Sequence, residues 1–237
     1  VAKVTVTGIG NFTGTASTTF RISTSIIDSD FAITCEGAGK TYTYTGAEIT
    51  PSVTVTRTSL ATTLIEGKDY EVTYKDNINA GTATVSVTGA NNYAGTKTFT
   101  FKIAKKDISA DDVTATLAKT SYEYTGSQIT PAVSSVVYGS YTLKTGAAGN
   151  DYKVVYGDNI AVGTNAGYVT IDASDSSNFT GTKTLHFDIV AKSIGAGSSF
   201  ATGFTMDAIP TQGYTGKAVT PTPAATRSSS IGSLLPA

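Results

Sequence analysis

The sequence predicts an all-β chain, and composition, strand-like alternation and the lack of helical patterning support that prediction. Threonine occurs 43 times in the 237 residues, whereas leucine and glutamate are rare. β-Branched and aromatic side chains suit a pleated, half-buried surface. Apolar and polar residues alternate at 4–7, 53–56 and 98–103, a period of two that places one face of a strand in a core. No segment of the sequence carries the 3.6-residue apolar stripe of an amphipathic helix.

Three sequence blocks recur along the chain. The block Tyr-Thr-Gly-x-x-Ile/Val-Thr-Pro begins at Tyr44, Tyr124 and Tyr214, which lie 80 and 90 residues apart. Asp-Tyr-x-Val-x-Tyr-x-Asp-Asn occupies 69–77 and 151–159, and Asn-aromatic-x-Gly-Thr begins at Asn11, Asn92 and Asn178. A period of this length fits one small β domain. Because each period has room for roughly six or seven strands, we predict tandem immunoglobulin-like β-sandwich modules of about 80–90 residues. A β-grasp-like module is the alternative, and it would need a helix.

The phase of the repeats predicts four parts. Residues 25–104 and 105–190 should be whole modules, residues 1–24 the C-terminal strands of a truncated module, and residues 191–237 the N-terminal half of another. We therefore expect a piece of a longer chain, with ends that proteolysis trims to near Ser23 and Val190. The two whole modules should superpose, and the extra residues around Asn165 should form a longer loop or a bulge.

The overall composition excludes several classes of protein. One histidine and one cysteine cannot build a His/Cys zinc site or a disulfide framework. With 17 basic and 18 acidic residues, the chain lacks the positive charge of a nucleic-acid binder. The sequence has no apolar run of about 18 residues, which membrane insertion as a helix would require.

The two lone reactive side chains have structural interpretations. His186 alternates with Leu185 and Phe187, so it should face solvent on a strand. Cys35 occurs in one module only, and we favour a small buried residue over a reactive thiol. No catalytic residue is predicted, and the chain is not expected to be an enzyme.

Acidic residues near turns and module borders are the candidate metal ligands. Calcium needs six or more converging oxygen atoms, whereas carboxylates spread along one strand point to opposite faces. Turn and strand-end roles therefore explain these residues more simply, and no other cofactor is predicted. The calcium candidates are Asp28, Asp30, Asp69, Asp76, Asp111, Asp112, Asp151 and Asp158.

The repeated blocks resemble the immunoglobulin-like repeat modules of large bacterial surface proteins, especially those of Gram-positive gut anaerobes. The matching segments are Tyr44–Pro51, Gly67–Asn77, Gly81–Gly89 and Asn92–Thr96. The second module departs from the pattern at Gly149-Asn150 and around Asn165-Ala166. The resemblance covers essentially the whole chain. It implies a secreted or wall-attached protein with stalk, spacer or adhesive modules, and it implies no catalytic residues.

Three further patterns bear on binding or modification. The tyrosines that open the first block could form a sugar platform, but such platforms usually use tryptophan, which this sequence lacks, so a structural corner is favoured. Asn11 and Asn178 match the N-glycosylation acceptor, yet the middle copy at Asn92 does not, and a turn role for the asparagine explains all three copies. Surface modules of this general kind sometimes carry a Lys–Asn isopeptide cross-link. Lys97 and Lys183 recur, but Ala16 replaces them in the first copy, which argues against an obligatory cross-link at that position.

The leading functional hypothesis is a non-enzymatic stalk that projects a functional tip from a bacterial cell. The alternative is an adhesin repeat that binds a host or dietary glycan or a protein. A subunit of an extracellular filament, whose terminal fragments are completed by neighbouring chains, is the third hypothesis. The expected partners are adjacent modules of the same longer chain, with no nucleic acid and no membrane insertion.

Overall fold

The computed structural model describes residues 1–146, 150–196, 199–200, 204–214 and 216–227. Strands dominate these residues, and the helical structure among them is limited to 3-10 turns such as Thr58–Leu60. The all-β prediction is therefore confirmed. The helix that a β-grasp-like module would need is not found among the described residues.

The chain divides into two compact units. The first comprises Val1–Ile108, Gly149–Asp151 and Ala173–Gly181, and the second comprises Ser109–Ala148, Tyr152–Asp172 and Thr182–Ala237. The short segment Ala173–Gly181 belongs to the second sequence repeat but to the first compact unit. This segment carries the third of the Asn-aromatic blocks, which begins at Asn178.

Residues 1–104 contribute eleven strands to the first unit. They are β1 (Ala2–Thr7), β2 (Thr15–Phe20), β3 (Thr24–Ser25), β4 (Phe31–Cys35), β5 (Thr41–Thr43), β6 (Val53–Arg57), β7 (Thr62–Thr63), β8 (Tyr70–Lys75), β9 (Gly81–Gly89), β10 (Tyr93–Ala94) and β11 (Thr96–Ala104). The sheets have the orders β5-β11-β9-β8 and β4-β6-β7, with a short pair β3-β10 and a hairpin β1-β2. The pairs β5-β11 and β3-β10 are parallel.

The second sequence repeat forms a matching set of strands. They are β12 (Lys106–Asp107), β13 (Val113–Leu117), β14 (Ser121–Glu123), β15 (Val133–Tyr138), β16 (Tyr141–Thr142), β17 (Tyr152–Tyr156), β18 (Gly163–Ala173), β19 (Phe179–Thr180) and β20 (Thr182–Val190). Their sheets have the orders β14-β20-β18-β17 and β13-β15-β16, with a parallel pair β12-β19. Each sheet has a counterpart of the same order in residues 24–104.

Two sheets share one core in the second repeat, and both sheets of the first repeat have a buried apolar face. In the second unit, Leu117 of β13 clusters with Val169 of β18 and with Phe187 of β20. In the first unit, the strand alternation buries Val55 on one sheet and Val85 and Phe101 on the other. The apolar residues of the period-two pattern are therefore the ones that form the core. Their burial is the main term that stabilises such a fold.

The insertion around Asn165 forms a bulge, as predicted. Strand β18 spans 11 residues, and its pairing with β20 shifts register between Gly163 and Gly167. Asn165 has a left-handed φ of 52°, a conformation that asparagine tolerates better than most residues. The extra residues are thus absorbed within one strand, and the sheet order is kept.

The terminal segments repeat pieces of the same architecture. In the hairpin β1-β2, Ala2 pairs with Phe20 and Thr7 with Thr15, as Ala83 pairs with Phe101 and Thr88 with Thr96 in β9-β11. Yet Val4 is 46% exposed, whereas its counterpart Val85 is 0% exposed.

Four short strands close the described chain: β21 (Gly195–Ala196), β22 (Ser199–Phe200), β23 (Phe204–Met206) and β24 (Ala225–Arg227). The pair β23-β24 aligns Phe204 with Arg227, in the register of Thr114 with Val137 in β13-β15.

Candidate functional site

The first two repeated blocks of each repeat are tied together by an asparagine. The Asn77 side-chain amide donates to the Ile49 carbonyl at 3.2 Å, and the Ile49 amide donates to the Asn77 carbonyl at 2.9 Å. The same exchange joins Asn159 and Ile129 at 3.0 and 3.1 Å. Both asparagines are buried, so the recurrence of Asp-Asn and Ile-Thr-Pro reflects a buried hydrogen-bonded tie.

A tyrosine of the second block adds another tie to the same loop. The Tyr74 hydroxyl donates to the Pro51 carbonyl at 2.7 Å, and the Tyr156 hydroxyl donates to the Pro131 carbonyl at 3.1 Å. Burial raises the pKa of Tyr74 above its ordinary value of 10.0, with smaller contributions from nearby charged groups, Glu66 first. The hydroxyl therefore stays protonated at neutral pH and remains a donor.

The Tyr-Thr-Gly turn is built alike in both repeats. The Thr45 hydroxyl oxygen accepts from the Ala47 amide at 3.3 Å, and that of Thr125 accepts from the Ser127 amide at 3.2 Å. The glycine between them has a left-handed φ of 80° at position 46 and 79° at position 126, which explains why glycine recurs there. The block is a local turn motif that positions the preceding tyrosine.

In the first unit, that tyrosine is one wall of a site filled by Asn178 and Phe179. We call Tyr44, Asn79 and Ala80 the filled socket, and Asn178–Phe179 the plug loop. The rings of Tyr44 and Phe179 meet edge to face with centroids 5.5 Å apart. The Asn178 side-chain oxygen accepts from the Ala80 amide at 2.8 Å, and its amide donates to the Asn79 side-chain oxygen at 2.9 Å. Phe179 is 1% exposed.

In the second unit, the corresponding residues border a cavity of about 570 Å³. We call it the open socket; it is lined by Tyr124, Asp158–Ala161, Ala166 and Tyr168. Ile160 and Tyr168 are both 42% exposed. Two aromatic rings, an acidic residue and an aliphatic side chain thus surround a concave surface, the kind of place where ligands and peptides bind.

The calcium candidates are distributed over separate places. Asp30 is held by Arg57, Thr58 and Ser59, and the Asp69 carboxylate accepts from the Ile65 amide at 3.0 Å. Asp28, Asp76, Asp111, Asp112 and Asp158 are exposed, and Asp151 is half-buried. Among the described residues, no three His, Cys, Asp or Glu side chains come together as a metal site would need.

The Asp30–Arg57 pair makes a pH prediction. The Arg57 guanidinium, at 2.7 Å, and the Ser59 hydroxyl and amide hold the pKa of Asp30 well below its ordinary value of 3.8. A lowered folded-state pKa stabilises the fold above the ordinary value, and this contribution is lost as pH falls through the folded-state pKa. Asp30→Asn should therefore lower the Tm at pH 7. The difference from the wild type should shrink as pH drops below about 4. Thermal unfolding of both proteins between pH 7 and pH 2 measures this difference in Tm. A difference that stays constant with pH would contradict the prediction.

The remaining sequence candidates have the following environments. His186 is exposed, as predicted, and its ring centroid lies 6.3 Å from that of Tyr168. Cys35 is half-buried with a free thiol, so its burial is less complete than we predicted. The Lys183 ammonium donates to the carbonyls of Ala110 and Val113 at 3.1 and 2.5 Å. The Lys97 ammonium lies 5.7 Å from the centroid of the Phe99 ring.

The three copies of the block tyrosine differ in exposure. Tyr44 is 5% exposed, Tyr124 is half-buried, and Tyr214 is 96% exposed. Of the two asparagines that match the N-glycosylation pattern, Asn11 is exposed, whereas Asn178 is half-buried in the filled socket. The corner interpretation holds for Tyr44, whose ring packs against Phe179.

Comparison with known proteins adds no family. No family model matches the chain, and no curated protein matches it. Within the described ranges, no helix is long and apolar enough to cross a membrane.

Sequence reasoning did not find the two sockets. The available signal was the pentapeptide Asn-Phe-Thr-Gly-Thr, which occurs at both 11–15 and 178–182. Its second copy fills a site, and its first copy is exposed throughout.

Proposed function

We propose that this chain is a non-enzymatic structural segment of an extracellular bacterial surface protein, in which folded modules in series carry mechanical load as a stalk. The observation that carries the proposal is the use of the recurrent polar side chains. The asparagine and tyrosine of the second block bond main-chain carbonyls within their own repeat, in both repeats. A stalk under load needs every module to be stable, and these hydrogen bonds stabilise the fold of each repeat.

The strand order supports a load-bearing role. In the first repeat, β5 lies parallel to β11, with Thr41 opposite Lys102 and Thr43 opposite Ala104. In the second, β14 lies parallel to β20 in the same way. One strand of each pair lies near the start of its repeat and the other at its end. Tension along the chain therefore shears the parallel pair and loads its hydrogen bonds together.

Force spectroscopy of the full chain, held at both ends, tests the proposal. We expect two separate unfolding events, each releasing about 28 nm for a repeat of about 80 residues. Forced unfolding reports the barrier to unfolding, so the resistance should depend on the parallel pairs.

A matched pair of variants tests where that resistance lies. The Tyr124 amide donates to the Val190 carbonyl at 2.8 Å at the end of the β14-β20 pair. Tyr124→Pro removes this donor and should lower the unfolding force of one event only. Tyr124→Ala loses the same ring, which packs against the core of the second repeat, but keeps the amide, so it should lower that force less than Tyr124→Pro does. Extension of the chain without force peaks would contradict the stalk proposal.

The second candidate function is an adhesin repeat, and the open socket favours it. Tyr124 and Tyr168 lie in one concave surface with Asp158 and Asn159, and aromatic rings beside polar groups suit a saccharide. A glycan-array screen of the wild type and Tyr168→Ala tests this function. Reproducible hits that the variant loses would support an adhesin over a stalk.

A further inference from the structure

The plug loop begins a pentapeptide that also occurs in the exposed N-terminal loop. Asn178-Phe179-Thr180-Gly181-Thr182 is repeated as Asn11-Phe12-Thr13-Gly14-Thr15. In the first unit, the ring of Phe179 and the side-chain amide of Asn178 complete the filled socket. Phe12, by contrast, is 77% exposed, and Asn11 is exposed as well. The chain therefore presents an aromatic hairpin loop whose identical copy is known, from the same structure, to fit a particular site.

The open socket is the counterpart of that site. Tyr124 corresponds to Tyr44 in the Tyr-Thr-Gly block, and 158–163 (Asp-Asn-Ile-Ala-Val-Gly) corresponds to 76–81 (Asp-Asn-Ile-Asn-Ala-Gly). Both sockets rest on the buried Asn–Ile tie. Tyr124 is less buried than Tyr44, and the cavity beside it has about 570 Å³.

We infer that the open socket binds the Asn11–Thr15 loop of a second copy of this chain, so that copies associate head to tail. Phe12 meets the Tyr124 ring edge to face, as Phe179 meets Tyr44, and the Asn11 side-chain oxygen accepts from the Val162 amide, as Asn178 accepts from Ala80. Edge-to-face aromatic pairs add to the burial of their rings. Ala161 replaces Asn79, so one hydrogen bond of the filled socket is missing. The association is accordingly weak and reversible.

The two surfaces lie on different parts of the chain, so the contact is heterologous. Such contacts add copies one after another and do not stop at a dimer. This association is independent of the mechanical role: the chain could resist force without self-association, and could self-associate without resisting force.

Sedimentation of the full chain from about 10 μM to about 1 mM tests the inference. The wild type should gain mass with concentration. Phe12→Ala removes the loop's ring, and Ala161→Arg fills the socket at an exposed position. Each change should weaken association by about tenfold or more. Tyr214→Ala, at a tyrosine that is 96% exposed, is the control and should associate like the wild type.

Mixing the two variants gives the sharpest outcome. Phe12→Ala keeps an intact socket and Ala161→Arg keeps an intact loop, so their equimolar mixture should form dimers but no longer chains. A wild type that stays monomeric up to about 1 mM, or association that neither variant weakens, would overturn the inference. A saccharide that binds the wild type and not Ala161→Arg would show that the socket takes sugar, and would overturn it as well.

Discussion

Replacing Asn159 with alanine is expected to lower the free energy of unfolding of the second repeat by about 3–4 kcal/mol. The Asn159 side chain donates to the Ile129 and Tyr168 carbonyls, both at 3.0 Å, and accepts from the Tyr168 amide at 2.8 Å. The residue is 4% exposed. The main-chain groups that it bonds would therefore lose their hydrogen-bond partner at a place that water does not reach. Asn159 also has a left-handed φ of 48°, which alanine adopts at a cost.

Two variants separate these contributions. Asn159→Gly keeps easy access to the left-handed backbone and loses only the side-chain bonds, so it should cost about 1 kcal/mol less than alanine. Asn77→Ala should cost about 1 kcal/mol, because Asn77 makes one such bond, to the Ile49 carbonyl. Urea unfolding followed by near-ultraviolet circular dichroism measures all three. Equal losses for Asn77→Ala and Asn159→Ala would contradict the interpretation.

Replacing Phe179 with alanine is expected to destabilise the first unit by about 3–5 kcal/mol. The ring is 1% exposed and packs edge to face on Tyr44. Its removal leaves a cavity beside Tyr44 and withdraws apolar area from the core, and both effects lower stability.

The chain offers a matched control for this variant in the identical pentapeptide. Phe12 has the same neighbours in sequence but is 77% exposed, so Phe12→Ala should change monomer stability by less than about 0.5 kcal/mol. Unfolding at a dilute concentration keeps self-association out of the measurement. Similar losses for the two variants would show that sequence context, and not the filled socket, determines the effect.

The sequence predicted the parts of the fold that depend on local patterns. Alternation identified the strands that bury Val55, Val85 and Phe101. Successive side chains of a strand point to opposite faces, so a buried face appears in the sequence as every second residue. The repeat offset located the insertion at Asn165, which forms the bulge in β18. The division into 25–104 and 105–190 as independent modules stays a prediction, as does the immunoglobulin-like class.

The sequence could not reveal contacts between distant segments. Asp30 was a metal candidate by its position near a border, but it pairs with Arg57, which lies 27 residues away. Asn178 was interpreted as a turn residue, whereas it hydrogen-bonds to Asn79 and Ala80 and the next residue, Phe179, is buried against Tyr44. Contacts between residues far apart in the sequence depend on tertiary packing, and a single sequence does not show which residues will meet.

The most direct test of the account is residue-resolved hydrogen exchange of backbone amides. The central claim is that the recurrent blocks are structural ties and that Asn178 and Phe179 fill a socket. Ile49 and Ile129, whose amides donate to the buried asparagines, should both exchange slowly. Ala80 should also be protected, and Asn178→Ala should remove that protection whereas Asn11→Ala should not. If Ala80 exchanged as fast as an unstructured peptide in the wild type, or if Asn178→Ala left its rate unchanged, the claim would be contradicted.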